Sequence, residues 1–277
     1  MTSVLVIGLT GQAGEALLPR LLERFGAVDA LSRFPREPCA GVHWLHGSLE
    51  AMPPGCATGH DLLISLGPLD AFANWYAGAM PSARRVIALG STGRNDKLDS
   101  PDDCEREMAT RLADAEDSLL SMGLRNGAAV TVLRPTLLYG NGRDRTLTPL
   151  LAFAHRWKFV PIPASATGLR LPVHVDDVAS AILACIDAPD AASGAFDLPG
   201  GEALAFDAMV RRSVQRLVPG AWVVKVPDFL VRCAAWVASR MGRPSVAGSL
   251  ARLGRDQSAD ASPARSAFGY SPGPFRP

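Results

Sequence analysis

At 277 residues the chain is long enough to bury a full core, and 48% hydrophobic against 20% charged residues excludes a disordered or coiled-coil protein. Its 28 basic and 27 acidic residues are spread along the length without a block of like charge, which argues against nucleic acid and anionic membrane as partners. Cys39, Cys56, Cys104, Cys185 and Cys233 show no CxxC pair, and His43, His46, His60 and His155 no ligand spacing, so reduced thiols, a cytoplasmic location and no metal are expected.

The first element is an apolar strand, Val4 to Ile7, entered without a basic leader, and no apolar run reaches the length of a membrane span, so neither a signal peptide nor a spanning helix is expected. Val4-Leu5-Val6-Ile7 runs into Gly8-Leu9-Thr10-Gly11-Gln12-Ala13-Gly14 and then a helix. Three glycines spaced G-x-x-G-x-x-G serve a tight turn, close main-chain approach to a pyrophosphate, and close helix-to-strand packing. The helix N-terminus adds unpaired N–H donors and a positive dipole end, so Gly8 to Gly14 is read as a dinucleotide cradle. Pro19 lies inside that helix and predicts a kink.

The second strand, Val28 to Leu31, ends in Ser32-Arg33, with Arg36 close behind. An acid gripping a ribose 2′-hydroxyl is absent there, Asp29 lying too early, and Arg33 and Arg36 suit a 2′-phosphate. NADP(H) is therefore favoured, with NAD(H) left open. Further buried strands are expected at Leu62 to Ser65, Arg85 to Leu89 and Val130 to Leu133, none strictly alternating, as in a parallel sheet covered on both faces. Helical spacing marks Glu105 to Leu120, through Met108, Leu112, Ala115 and Leu119. Asp177, as N-cap, opens another helix with Val178, Ala181, Ile182 and Cys185 on one face.

Alternating elements of this kind predict an α/β, Rossmann-type doubly wound sheet over residues 1–145. From Thr146 the pattern loosens, with Pro149, Pro161, Pro163, Pro172, Pro189 and Pro199 punctuating short segments. Residues 146–277 are read as contributing a late strand and helix to the core, plus a smaller substrate-side region and a partly extended tail after Gly242.

Two later motifs carry a resemblance. Leu133-Arg134-Pro135-Thr136-Leu137-Leu138-Tyr139-Gly140 looks like an RPxxxYG segment, and Arg170-Leu171-Pro172-Val173-His174-Val175-Asp176-Asp177-Val178-Ala179 is similar to R-x-x-V-H-V-x-D-V-A. With the glycine turn, they make the chain resemble the short-chain dehydrogenase/reductase superfamily, in its extended or atypical branch related to NAD-dependent epimerase/dehydratases. The resemblance implies that Ser48 and Leu49 approach the adenine, although the family usually has Asp where Ser48 stands. It places Ser65, Leu66 and Gly67 at the ribose and pyrophosphate, and Pro135 beside the nicotinamide. Arg170 is implied as a substrate contact, a salt bridge being the alternative, and His174 as another, helix packing being the alternative. More loosely, Leu198 to Leu204, Leu253 to Gln257 and Phe268 to Phe275 look like the atypical branch that includes a nucleotide-binding accessory subunit of respiratory complex I.

Active members of that family carry Ser or Thr after the fourth strand and Tyr-x-x-x-Lys on the next helix, so that a phenol of lowered pKa exchanges a proton while hydride moves. Ser91 and Thr92 stand as expected, but Met108 and Leu112 occupy the Tyr and Lys positions and are read as core packing. Lys97 and Tyr139 are the candidates to act in their place, a solvated loop charge and a packing residue with one hydrogen bond being the respective alternatives. The expectation is an NAD(P)-dependent oxidoreductase acting on a small carbonyl or hydroxyl substrate, with a homodimer compatible. A non-catalytic dinucleotide-binding sensor or assembly factor is the alternative.

Overall fold

The computed structural model describes residues 2–188, 193–231, 233, 240 and 252–277. Pro189 and the beginning of the expected tail, residues 242–251, lie outside the described residues. In chain order the first elements are β1 (Val4–Ile7), α1 (Gln12–Phe25), β2 (Val28–Ser32), β3 (Val42–His46), β4 (Leu62–Ser65), α2 (Leu69–Ala79) and β5 (Arg85–Leu89). Then come α3 (Gly93–Asp96), α4 (Asp103–Asn126), β6 (Ala129–Pro135), β7 (Leu138–Tyr139), α5 (Leu147–Trp157) and β8 (Phe159–Pro163). The remainder are β9 (Leu169–Arg170), β10 (Val173–His174), α6 (Val175–Asp187), β11 (Gly194–Leu198), β12 (Leu204–Ala205), α7 (Phe206–Leu217), β13 (Trp222–Val226) and a last helix, Ser262–Phe268.

Seven parallel strands form the central sheet in the order β11-β6-β5-β4-β1-β2-β3. The fold is thus the α/β, doubly wound parallel sheet that the alternation of elements predicts. Side chains of each strand alternate between two apolar layers. Val4, Val6, Ala30 and Ile64 pack with Leu17 and Leu21 of α1 and Val178 and Ile182 of α6. Leu5, Leu63 and Val130 pack with Phe72 and Tyr76 of α2 and Leu119 of α4. Burial on both faces explains why these strands read as continuous apolar runs. By contrast β3 is an edge strand with a half-exposed pattern, so it carries no such run. α1 continues through Pro19 as a single helix.

A third apolar cluster lies outside the sheet, where Leu147, Ala154, Val160, Ile162, Phe206 and Val214 meet. It holds together the ribbon of β8 and β13, the pair of β9 and β12, and helices α5 and α7. The C-terminal residues strap this unit to the sheet. Tyr270 Oη donates to the Pro199 carbonyl at 2.8 Å, and Phe275, 3% exposed, sits in the third cluster. Among the described residues no helix is long and apolar enough to cross a membrane.

Candidate active site

The chain winds outward in both directions from the boundary between β1 and β4, so the carboxyl ends of those strands open a crevice at the switch point. Gly8 stands there with φ +84°, and a Cβ on it would come within 2.9 Å of the Leu66 carbonyl carbon. Gly8 is therefore needed twice, for a left-handed backbone and for the close passage of Leu66-Gly67. A Cβ on Gly14 would overlap the Leu9 main chain, so the third glycine lets α1 pack on its own turn. Gly11 is the N-cap and has no side-chain cap, while Gln12, Ala13 and Gly14 precede any intrahelical acceptor. The first-turn amides thus face an uncapped crevice, the arrangement a diphosphate requires. Leu9 itself is buried in the core, whereas Thr10 is half-buried on the turn.

Two contacts reach this turn from far along the chain. Gln12 Nε2 donates to the Gly140 carbonyl at 2.7 Å, which fixes the loop after β7 against α1. Arg143 donates to the Thr10 carbonyl at 3.0 Å and pairs with Glu15, placing a guanidinium over the cradle. Arg143 was not legible as a site residue, because neither contact is local.

At the end of β2, Ser32 Oγ donates to the Phe34 carbonyl at 2.8 Å and accepts from Arg36 Nε at 3.2 Å, while Arg33 is exposed. The loop after β3 joins them through a bond from Gly47 N to the Ser32 carbonyl at 3.0 Å. Ser48 closes a turn with Ala51, and Leu49 packs against the second apolar layer. Ser65, 1% exposed at the end of β4, has an Oγ without a hydrogen-bond partner at the lip of the crevice.

The loop after β5 supplies Ser91, Thr92 and Lys97. Ser91 Oγ accepts from Gly93 N at 3.0 Å. Thr92, 2% exposed, donates to Asp96 Oδ2 at 3.2 Å and accepts from Gln257 Nε2 at 3.3 Å, while its amide reaches the Pro135 carbonyl at 3.4 Å. Lys97 Nζ lies 3.1 Å from Met108 Sδ. Met108, expected in the core, is instead 40% exposed, because the face of α4 that carries it looks toward this loop. Burial, and then the Arg252 charge, hold the Lys97 ammonium below the ordinary lysine range. The loop is anchored by Glu116, 2% exposed on α4, which accepts from Arg94 of α3 at 2.6 Å and from Arg134 Nε of β6 at 2.8 Å.

Tyr139 has a different setting. It is 3% exposed, its ring meets those of His174 at 5.0 Å and Phe275 at 4.8 Å, and its phenol oxygen accepts from Arg276 N at 3.0 Å. Burial pushes its pKa up, and the side chain acts as a strut for the C-terminal strap. Asp177, expected as the N-cap of α6, lies in the first turn and accepts from Gly273 N at 3.3 Å. The cap is His174, whose Nδ1 accepts from Asp176 N at 3.2 Å, so the cap stands three residues earlier than Asp177.

Beyond the strand ends lies a cavity of about 500 Å³ that Asp96, the chain neighbour of Lys97, helps to line, its charged residues being Arg145, Arg170, Arg252, Arg255, Asp96 and Asp256. Arg170 is 9% exposed, and its guanidinium donates to the carbonyls of Leu169, Arg252 and Arg255, each at 2.7 Å. Main-chain oxygens thus hold the side chain, without the acid considered from sequence. Gln257 Nε2 donates to Asp96 Oδ2 at 2.9 Å and joins the cavity to the loop of Thr92, a role that no local pattern marks. Four arginines against two aspartates give the cavity a positive lining suited to an anion.

Comparison with known proteins agrees with this geometry. Residues 112–198 match the NAD dependent epimerase/dehydratase family. UDP-glucose 4-epimerase from Vibrio cholerae is 26% identical over 115 residues, a match that covers 42% of this chain and 35% of that protein. The structure of MoeE5 in complex with UDP-glucuronic acid and NAD superposes with a TM-score of 0.74 at 18% identity, covering 99% of this chain and 94% of that one. UDP-glucuronic acid 4-epimerase from Bacillus cereus in complex with NAD gives 0.73 at 12% identity, with coverage of 99% and 94%. TunA, an NAD dependent NDP-hexosamine 5,6-dehydratase, gives 0.69 at 15% identity, with coverage of 100% and 94%. The chain carries a NAD dependent epimerase/dehydratase family segment over 112–198, set in the Rossmann-type fold that these structures share.

Proposed function

We propose that this chain is a dinucleotide-dependent enzyme of the epimerase/dehydratase type that acts on an anionic small molecule of the sugar-nucleotide class, with Lys97 exchanging the proton. The observation that carries the reading is the joint placement of an uncapped glycine turn, Lys97 against Met108, and an arginine-lined cavity at one end of the sheet. The main-chain amides of Gln12, Ala13 and Gly14 would hold the diphosphate of the cofactor, with Arg143 beside them, while the Gly11 amide closes the turn on the Gly8 carbonyl at 2.9 Å. A nicotinamide bound on this turn supplies reversible hydride exchange with a carbinol carbon. Lys97, as the neutral amine, takes the hydroxyl proton when the alcohol is oxidised, and as the ammonium returns it on reduction. Burial lowers the proton affinity of Lys97, the direction a general base requires. Ser91 orients the reacting oxygen, and Arg145 and Arg252 attract the substrate's charge. MoeE5, whose complexes hold UDP-glucuronic acid with NAD and UDP-glucose with NAD, supports the substrate class.

Calorimetric titration of the full chain with NADPH and NADH tests this reading. Micromolar binding is expected, and Gly8→Val should weaken it by at least about tenfold, since the new side chain meets Leu66. Absence of binding by either cofactor would overturn the proposal. The finer choice of NADP(H) rests on the exposed Arg33 and on Arg36 at the end of β2. Arg33→Ala is expected to weaken NADPH about tenfold and leave NADH unchanged, because only the 2′-phosphate pairs with a guanidinium there. Tighter binding of NADH by the unaltered chain would assign NAD instead, as in the neighbours solved with NAD.

A further inference from the structure

The ribbon of β8 and β13 turns one face into the third apolar cluster, through Val160 and Ile162, and the other face outward. The outward residues are apolar as well. Phe159 and Trp222 are register partners, with Pro161 opposite Val224 two residues on. Trp222 is 74% exposed, and Phe153 and Trp157 of α5 extend the surface, the Phe153 ring lying 5.6 Å from Phe159. An aromatic patch of this extent on the outside of a protein marks an interaction surface.

The charge beside the patch identifies the occupant. His155, Arg156 and Lys158 are all exposed where α5 ends, and the Arg156 guanidinium stands 5.4 Å over the Trp157 ring. No aspartate or glutamate occurs between Arg145 and Val175. Lys225 belongs to a separate pair, 2.8 Å from Asp207. A second copy docked face to face would set these cations against one another. A layer of anionic lipid headgroups would pair with them while the indoles enter the interface, where tryptophan is favoured. We infer that the outer face of the β8–β13 ribbon, with the end of α5, docks peripherally on an anionic lipid surface. Arg156 and Lys158 stand two residues apart, too few to register as a block of like charge in the sequence, and folding sets them beside the aromatic rings of the ribbon.

Flotation of the full chain with vesicles of phosphatidylglycerol and phosphatidylcholine in equal parts tests this independently of the dinucleotide. Co-flotation with a blue shift of tryptophan emission is expected, weakened by high salt and by pure phosphatidylcholine. The double variant Trp157→Glu/Trp222→Glu should float at least about tenfold less while keeping the thermal transition of the unaltered chain, because both residues are exposed. Three results would overturn the inference. They are no flotation or equal flotation with neutral lipid; a dimer by light scattering that the double variant converts to monomer, which assigns a second copy; or protection of both indoles from oxidative labelling in the lipid-free monomer, which assigns cover by the chain itself.

Discussion

Replacing Glu116 by alanine is expected to destabilise the protein by about 3–5 kcal/mol, the largest single loss among the substitutions considered. The carboxylate is 2% exposed and accepts from Arg94 and Arg134, whose side chains are 20% and 17% exposed. Removing it leaves Arg94 with only the exposed Asp117, at 3.3 Å, and Arg134 with only Asp197, at 3.5 Å, so most of the desolvation already incurred is no longer offset by Coulomb attraction. Glu116→Gln keeps hydrogen-bond acceptors but no charge, and should lie between the two. Denaturant unfolding of the three proteins measures the order. A loss below 1 kcal/mol for the alanine variant would show that water reaches these groups on opening and that the network does not anchor the loop. Because Arg94 lies in the loop of Lys97, the same variant should lose turnover out of proportion to the folded fraction remaining.

Lys97→Met is expected to cut turnover by about 10²–10⁴-fold with dinucleotide affinity unchanged, the range for removal of a general acid or base. Unchanged turnover would remove Lys97 from the mechanism, and absence of turnover in the unaltered chain would favour the non-catalytic reading. Stability should move the other way. Below the folded-state pKa both states carry the proton and the burial cost of the ammonium is fully present. As pH rises through the depressed folded pKa toward the unfolded value, the folded state releases its proton first and the cost fades. Lys97→Met should therefore be as stable as the unaltered chain or more so at neutral pH, with the advantage fading in alkali. Oxidation of an alcohol should accelerate with pH through that same folded pKa. Lys97, Lys158 and Lys225 are the only lysines, so ¹³C-dimethylation yields three lysine signals beside that of the α-amino group, and the Lys97→Met variant identifies the one from which the Lys97 titration can be read. A signal titrating at the ordinary lysine value would contradict the depressed affinity.

The glycine turn was legible because its requirements are local. A positive φ at Gly8 and the absence of a Cβ at Gly14 are imposed within seven residues of strand, turn and helix. The same holds for the five apolar strands, since burial on both faces leaves no polar position to obscure them. The edge strand β3 was missed because half of it meets solvent, and the cap of α6 was misassigned because an imidazole took the role that two nearby carboxylates suggested. Met108 shows the limit of periodicity, which reports one apolar face but not whether that face meets the core or a loop.

By itself the sequence determined the parallel α/β architecture and the position of the strand–glycine turn–helix unit. Each is a property of a short window, where backbone sterics and apolar period act directly. The tertiary structure alone decided that Lys97 sits on Met108, that Arg143 covers a turn 133 residues away, and that Gln257 reaches Thr92 across 165 residues. It also decided that Phe159 and Trp222 share an outward face. Those contacts depend on strand register and on which ends of the sheet come together. Registers of that kind are set by the summed packing of the whole core, and no local pattern encodes them.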